Sequence, residues 1–243
     1  MSTWVIVGAS RGIGLEFVRQ LLARGDRVIA TVRNPAKASQ LWALAGEAAL
    51  GACSLLECDV TSETSITSFV AEVTALQNLT KIDYVILNAG ILRYPNRATE
   101  MSFDDFADHL KTNTIGPVII VQKLLQTAIQ IKTVMFMSSD SGSAAEFRAF
   151  EDGFAAYAAS KAALNQTLRH MAAELRRKGS KTIILAMHPG EVATDMANVE
   201  LDWEVEGIIT PAESVSAMLQ VLASKTPDHS GTFWTWEGKE YPW

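Results

Sequence analysis

Apolar residues along this chain follow two alternating rhythms. Short unbroken runs, among them TWVIV, RVIATV, ACSLLEC, IDYVILN, KTVMFMSS, KTIILAMH and GTFWTW, are separated by longer stretches in which apolar residues recur at three- and four-residue steps. The first kind reads as strands buried on both faces and the second as amphipathic helices packed over them. Helices are predicted over Gly12 to Gly25, Pro35 to about Glu47, about Glu63 to Leu79, Phe103 to Ile129, Phe154 to Arg177 and about Ala212 to Ala223. Parallel strands need crossovers long enough to hold a helix. The alternation therefore predicts a doubly wound, three-layer α/β protein with about seven parallel strands. No linker, repeat or low-complexity segment divides the sequence, and one domain over 1–243 is expected.

Composition narrows the partners. With 48% hydrophobic and 20% charged residues the chain has the make-up of a globular protein. A formal net charge of -6 offers no basic surface to nucleic acid or anionic lipid, so a small molecule is the expected partner. The opening MSTWVIVGAS enters a strand without a basic leader, and no apolar run is long enough to span a bilayer. Cys53 and Cys58 make neither a disulfide framework nor a metal spacing, and His109, His170, His188 and His229 are scattered, so no metal is expected. Two free thiols suit a reducing cytoplasm.

Chemistry collects at one edge of the expected sheet. The loop GASRGIG, with Gly8, Ser10, Arg11, Gly12, Ile13 and Gly14, joins the first strand to the first helix, where backbone can approach a pyrophosphate and helix N–H groups face it. Tight strand-to-helix turns also use glycine for steric reasons alone, so the loop needs its context. An acid at the end of the second strand would bind a free ribose hydroxyl, but here Val32 is followed by Arg33. Arg33 with Arg11 forms a candidate clamp for a 2′-phosphate, which predicts NADP(H) over NAD(H); the plainer alternative is two solvated arginines.

Tyr157 and Lys161 stand four residues apart, on one face of a helix. A neighbouring ammonium favours the phenolate, so such a pair can exchange a proton with substrate oxygen near neutrality; a half-buried tyrosine beside a snorkelling lysine is the commoner meaning. Ser138 and Ser139 end the fifth strand, Asn88, Ala89 and Gly90 the fourth, and Pro189, Gly190, Val192 and Thr194 follow the sixth. All belong to the carboxyl edge, where open α/β sheets bind ligands.

Together GASRGIG, NAG, the asparagine of KTNTIGP, the serine pair before YAASK, and HPGEVAT resemble the single-domain short-chain dehydrogenase/reductase family over nearly the whole chain. GASRGIG, RNP, SKAALN, HPG and EGKEYPW are similar to its C-factor-like and sniffer-like members. The resemblance implies a Rossmann-type fold and reversible hydride transfer between NADP(H) and a carbonyl/alcohol pair. It implies Tyr157 as general acid/base, Lys161 holding the nicotinamide ribose and lowering the tyrosine pKa, Ser139 on the carbonyl with Ser138 as the other register, and Asn113 holding a relay water. By the same resemblance Asp59 and Val60 flank adenine, Asn88 to Gly90 line the adenosine ribose, Pro189 to Thr194 fix the carboxamide, and the assembly is a homodimer or homotetramer. A nucleotide-binding regulatory protein with little turnover is the rival reading.

Some features depart from that pattern. Val7 replaces a threonine common before the first glycine, and Glu191 is an unexpected charge in the HPG turn. Seventeen residues separate Ser139 from Tyr157, an insert whose Phe147, Phe150 and Phe154 are candidates for a pocket wall. A short substrate loop at about 195–210 carries Asp195, Glu200, Asp202, Glu204 and Glu206 around Met196 and Trp203. Leu164, Leu168, Met171 and Leu175 form a helical stripe suited to the sheet and, in part, to a subunit contact; Trp234, Trp236, Tyr241 and Trp243 are expected to pack.

Overall fold

The computed structural model describes residues 1–201 and 203–243; Asp202, one of the loop acids, lies outside the described residues. Strands β1 (Thr3–Val7), β2 (Arg27–Val32), β3 (Cys53–Glu57), β4 (Lys81–Leu87), β5 (Gln130–Met137), β6 (Ile183–His188) and β7 (Thr232–Thr235) form one parallel sheet in the order β3-β2-β1-β4-β5-β6-β7. Side chains alternate across it as the two-residue repeat requires. On β1, Trp4 and Ile6 enter one apolar layer, while Val5 and Val7 enter the other.

Helices α1 (Gly12–Ala23), α2 (Ser39–Glu47) and α7 (Pro211–Ser224) cover the first layer through Phe17, Leu21, Leu41 and Met218. Helices α3 (Glu63–Ala75), α5 (Gly116–Leu125) and α6 (Ala155–Arg177) cover the second through Phe69, Ile120, Leu164 and Leu168. Each fully buried Phe or Leu contributes about 1.5–3 kcal/mol. Burial on both sides explains why the strands read as unbroken apolar runs. Met171 and Leu175, the lower half of the stripe, are only partly buried and line a groove between α5 and α6 with Val118, Leu125 and Ile129.

One expected helix is broken. Phe103 to Ile129 divides into α4 (Phe103–Leu110), a wide π turn over Lys111–Ile115, and α5. The Gly116 N–H reaches back five residues to the Lys111 carbonyl, and Pro117 has no N–H for the Asn113 carbonyl four residues before it. Gly116 is the only residue type that fits there, because a Cβ would lie 2.1 Å from the Val60 carbonyl oxygen. The helix expected to reach Leu79 ends at Ala75, with Leu76 already extended. The winding of the sheet reverses between β1 and β4, which opens a crevice at their carboxyl ends. Among the described residues no helix is long and apolar enough to cross a membrane.

Candidate active site

The glycine loop sits at the head of that crevice. Gly8 has φ of 86°, and a Cβ there would meet the Ala89 backbone at 2.7 Å. Gly14 is tighter, since its Cβ would lie 2.1 Å from the Gly8 carbonyl oxygen. Asn88 joins the two turns by donating from Nδ2 to that same carbonyl at 2.8 Å. Val7 brings no hydroxyl, but Thr31, buried on β2, replaces it: the Gly8 N–H donates to Thr31 Oγ1 at 3.3 Å and the Ala9 N–H to the Thr31 carbonyl at 2.8 Å.

Helix α1 starts without a side-chain cap and without an acid in its first turn, whereas α3, α4 and α7 are capped by Ser62, Ser102 and Thr210. Its free N–H groups and positive dipole end fit the phosphates of a dinucleotide. Ser10, Arg11 and Arg33 are exposed around it. Arg33 has no ion-pair partner among the described residues, while Arg11 pairs with Asp195 at 3.3 Å. That contact is about 70% solvent-exposed on both sides, worth at most about 1 kcal/mol, and easily exchanged for a phosphate. Asp59 follows β3 and accepts from the Thr61 N–H and hydroxyl at 2.9 and 2.7 Å; Val60 is buried behind it.

Helix α6 carries the catalytic candidates. Its first turn is held from a distance: Asn96, buried, accepts from the Ala156 N–H at 2.6 Å and the Tyr157 N–H at 3.3 Å. The two serines have different partners. Ser138 donates to Asn165 Oδ1 at 2.6 Å, whereas Ser139 donates to Asp140 Oδ1 at 3.1 Å and stands near enough to the Tyr157 phenol to lower its pKa; both border the cavity. Asn113, buried in the π turn, accepts from the Ile91 N–H at 2.8 Å and donates to the Ile91 carbonyl and Ser160 Oγ, both at 2.9 Å. Gly90 lies against Asn113 and Lys161, which brings the NAG turn to the same point.

Lys161 is only 4% exposed and donates to the Met137 carbonyl at 2.8 Å, with Nζ 5.6 Å from the Tyr157 ring centre. Burial lowers its pKa to about 8. The expected lowering of the tyrosine by this lysine is not met by the protein's own groups. Burial raises the Tyr157 phenol above its ordinary value, opposed by the Ser139 hydrogen bond and reinforced by the charges of Asp140, Glu191 and Glu151. An ammonium with a depressed pKa binds fewer protons folded than unfolded, so stability rises with pH between about 8 and the ordinary lysine value. Lys161→Met is therefore expected to stabilise the protein at pH 7 by about 1–3 kcal/mol, an advantage that fades near pH 10. Denaturant melts of both proteins at the two pH values check this.

Beyond β6, Gly190 has φ of 85° and lies against Trp236, and Thr194 approaches Gly12. The loop expected at 195–210 is pinned at its base, where the Ala193 N–H donates to the Ile209 carbonyl and the Ile209 N–H to the Glu191 carbonyl. From it Trp203 reaches Phe154 and Phe150, with ring centres 5.7 and 6.3 Å apart. Phe150 and Phe154 thus form a wall, but Phe147 does not, being 84% exposed. The tail secures the insert: the Pro242 and Trp243 carbonyls accept from Ser143 Oγ and the Ala145 N–H, while Tyr241 and Trp243 pack on Phe233. The result is a cavity of about 920 Å³ bordered by Ile13, Ser139, Tyr157, Pro189, Val192 and Thr194.

Asp140, Arg148 and Glu151 were not singled out by the sequence. Asp140 pairs with Arg148, which also contacts Glu151 at 2.6 Å. The folded chain also brings Asp140, His188 and Glu191 within 4.8 Å of one another, a grouping invisible in their spacing. Asp140 already accepts from the Ser139 hydroxyl and the Ser141 N–H, and His188 Nδ1 accepts from the Asp140 N–H at 3.3 Å. Only Glu191 is left without a side-chain partner among the described residues, so the group is a poor metal cage.

Comparison with known proteins agrees with this geometry. A model of the short chain dehydrogenase family matches residues 2–205. An uncharacterized oxidoreductase of Schizosaccharomyces pombe is 33% identical, over 98% of this chain and 97% of its own. The C-signal of Myxococcus xanthus is 34% identical over 67% of this chain and 93% of its own. Among solved structures, the NADPH-bound carbonyl reductase from chicken fatty liver superposes with a TM-score of 0.88 at 32% identity, covering 100% of this chain and 99% of that one.

Proposed function

Given that the chain belongs to the short-chain dehydrogenase family, we propose that it reduces a small carbonyl compound with NADPH, using Tyr157 as the proton donor. The observation that carries this reading is that Ser139 and Tyr157 border one cavity together with Ile13 at the uncapped start of α1. The dinucleotide, when bound, supplies the hydride. The backbone from Gly8 to Gly14 holds its phosphates, Asp59 and Val60 border the adenine, Asn88 to Gly90 border the ribose, and Pro189, Gly190, Val192 and Thr194 orient the carboxamide.

Ser139 and Tyr157 then direct hydroxyls at the substrate oxygen, and Tyr157 gives up its proton as the oxygen gains charge. Lys161, with Nζ 5.6 Å from the Tyr157 ring centre, holds the nicotinamide ribose beside the phenolate left behind. The relay water belongs on the Asn113 carbonyl, since the Asn113 amide is already bonded to Ile91 and Ser160. Oxidation of NADPH by the purified protein against aldehydes, ketones and quinones tests the reading. Tight NADPH binding with no turnover on any of them would favour a regulatory protein, the reading supported by the likeness to C-signal.

Selection of NADPH falls to Arg33, with Arg11 released from Asp195. A charge-assisted contact to a phosphate contributes about 1.5–3 kcal/mol, so Arg33→Ala is expected to weaken NADPH about tenfold or more while leaving NADH almost unchanged. Titration of both cofactors checks it. The same reading expects a cytoplasmic protein, one domain, and a homodimer or homotetramer.

A further inference from the structure

The cavity has a charge that the reduction of a carbonyl does not by itself require. Three carboxylates, Asp140, Glu151 and Glu191, border it close to Tyr157, and a single arginine answers them. Arg148 is already paired with Asp140 and Glu151, and its guanidinium lies 4.9 Å from the centre of the Phe150 ring. His188 adds no positive charge, because burial lowers its pKa and its Nδ1 accepts from the Asp140 N–H. Glu191 therefore faces the cavity with no hydrogen-bond or ion-pair partner for its carboxylate among the described residues, within 4.8 Å of Asp140.

Two like charges this close, half out of water, are unfavourable unless a proton or a cation joins them. Burial and then Asp140 push the Glu191 carboxyl up, with Glu151 adding to the rise and the nearby Arg148 only partly offsetting it. Beside these charges the cavity has an apolar wall, since Phe154 and Trp203, with ring centres 5.7 Å apart, line it as well.

We infer that the substrate is a carbonyl compound bearing an ammonium group, which Glu191 pairs while Phe154 and Trp203 enclose its apolar body. The inference rests on the reductase reading and adds to it the charge of the substrate. Asp140 ties this charge to the chemistry, since it accepts from the hydroxyl of Ser139 at 3.1 Å. The ammonium consequently lies only a few bonds from the reacting carbonyl. Anionic ketones are rejected by the same groups.

The test uses three phenyl ketones of matched shape, whose two-carbon side arm ends in dimethylammonium, isopropyl or carboxylate, with NADPH and the full-length protein. In the wild type, kcat/KM is expected to favour the ammonium ketone over the isopropyl ketone by about tenfold or more, with the carboxylate poorest. In Glu191→Gln the ammonium-to-isopropyl ratio falls towards one, and in Glu191→Lys the order of the charged ketones reverses. NADPH binding followed by tryptophan fluorescence shows that each variant is folded. Equal reduction of all three ketones by the wild type, or a preference unchanged in both variants, overturns the inference and leaves the reductase reading standing. No reduction of these or of any other carbonyl compound overturns both.

Discussion

Tyr157→Phe is expected to lower carbonyl reduction by about 10²–10⁴-fold while NADPH still binds, because it removes one oxygen and with it the proton donor. The ring stays in place: Phe154 packs against it edge-on at 6.2 Å, and the N–H of residue 157 still meets Asn96. Folding should therefore change little, and the loss should fall on kcat. Ser139 would keep a hydroxyl near the substrate, but that hydroxyl already donates its one proton to Asp140 at 3.1 Å. Single-turnover measurement with saturating NADPH separates this outcome from a defect in cofactor binding. Turnover within a few fold of wild type would remove Tyr157 from the mechanism.

Gly14→Ala carries the largest expected effect on the fold. The added Cβ would stand 2.1 Å from the Gly8 carbonyl oxygen and 2.6 Å from Asn88 Nδ2, and neither is the end of a flexible side chain in open space. The Gly8 carbonyl is itself the acceptor of the Asn88 hydrogen bond at 2.8 Å, so relieving the clash separates the two turns that frame the crevice. A loss of about 3 kcal/mol or more is expected, as for strained overpacking, with NADPH binding lost at the same time. Thermal melts with and without NADPH read both effects. A variant that melts like the wild type and binds NADPH normally would mean that α1 can shift along β1 at little cost.

These predictions draw on features of different legibility. The inner strands were readable because they are buried on both faces, so β1, β2 and β6 above all appear in the sequence as apolar runs, whereas the edge strands β3 and β7 are only partly buried. The glycine loop and the Tyr157 and Lys161 pair were readable because both are local: a turn and one helical step. The π turn at Lys111–Ile115 was not, although Gly116 and Pro117 marked it. An apolar rhythm persists through such a break, since one widened turn shifts the buried face without removing it. Asn96, Thr31 and Asn165 were also missed. Each serves a backbone or side chain far away in sequence, across 60, 23 and 27 residues, and nothing near them records it.

The sequence alone thus determined the layered parallel fold, the strand edge where ligands gather, and the residue types available for phosphate binding and proton transfer, because all of these follow from periodicities and spacings shorter than one helix. Tertiary structure alone decided that Ser138 meets Asn165 while Ser139 meets Asp140, which carboxylates Arg148 answers, and that Glu191 borders the cavity with Phe154 and Trp203. Those choices depend on contacts between the insert after β5, the turn after β6 and the C-terminal tail. Their positions are set by how β5, β6 and β7 lie side by side in the sheet.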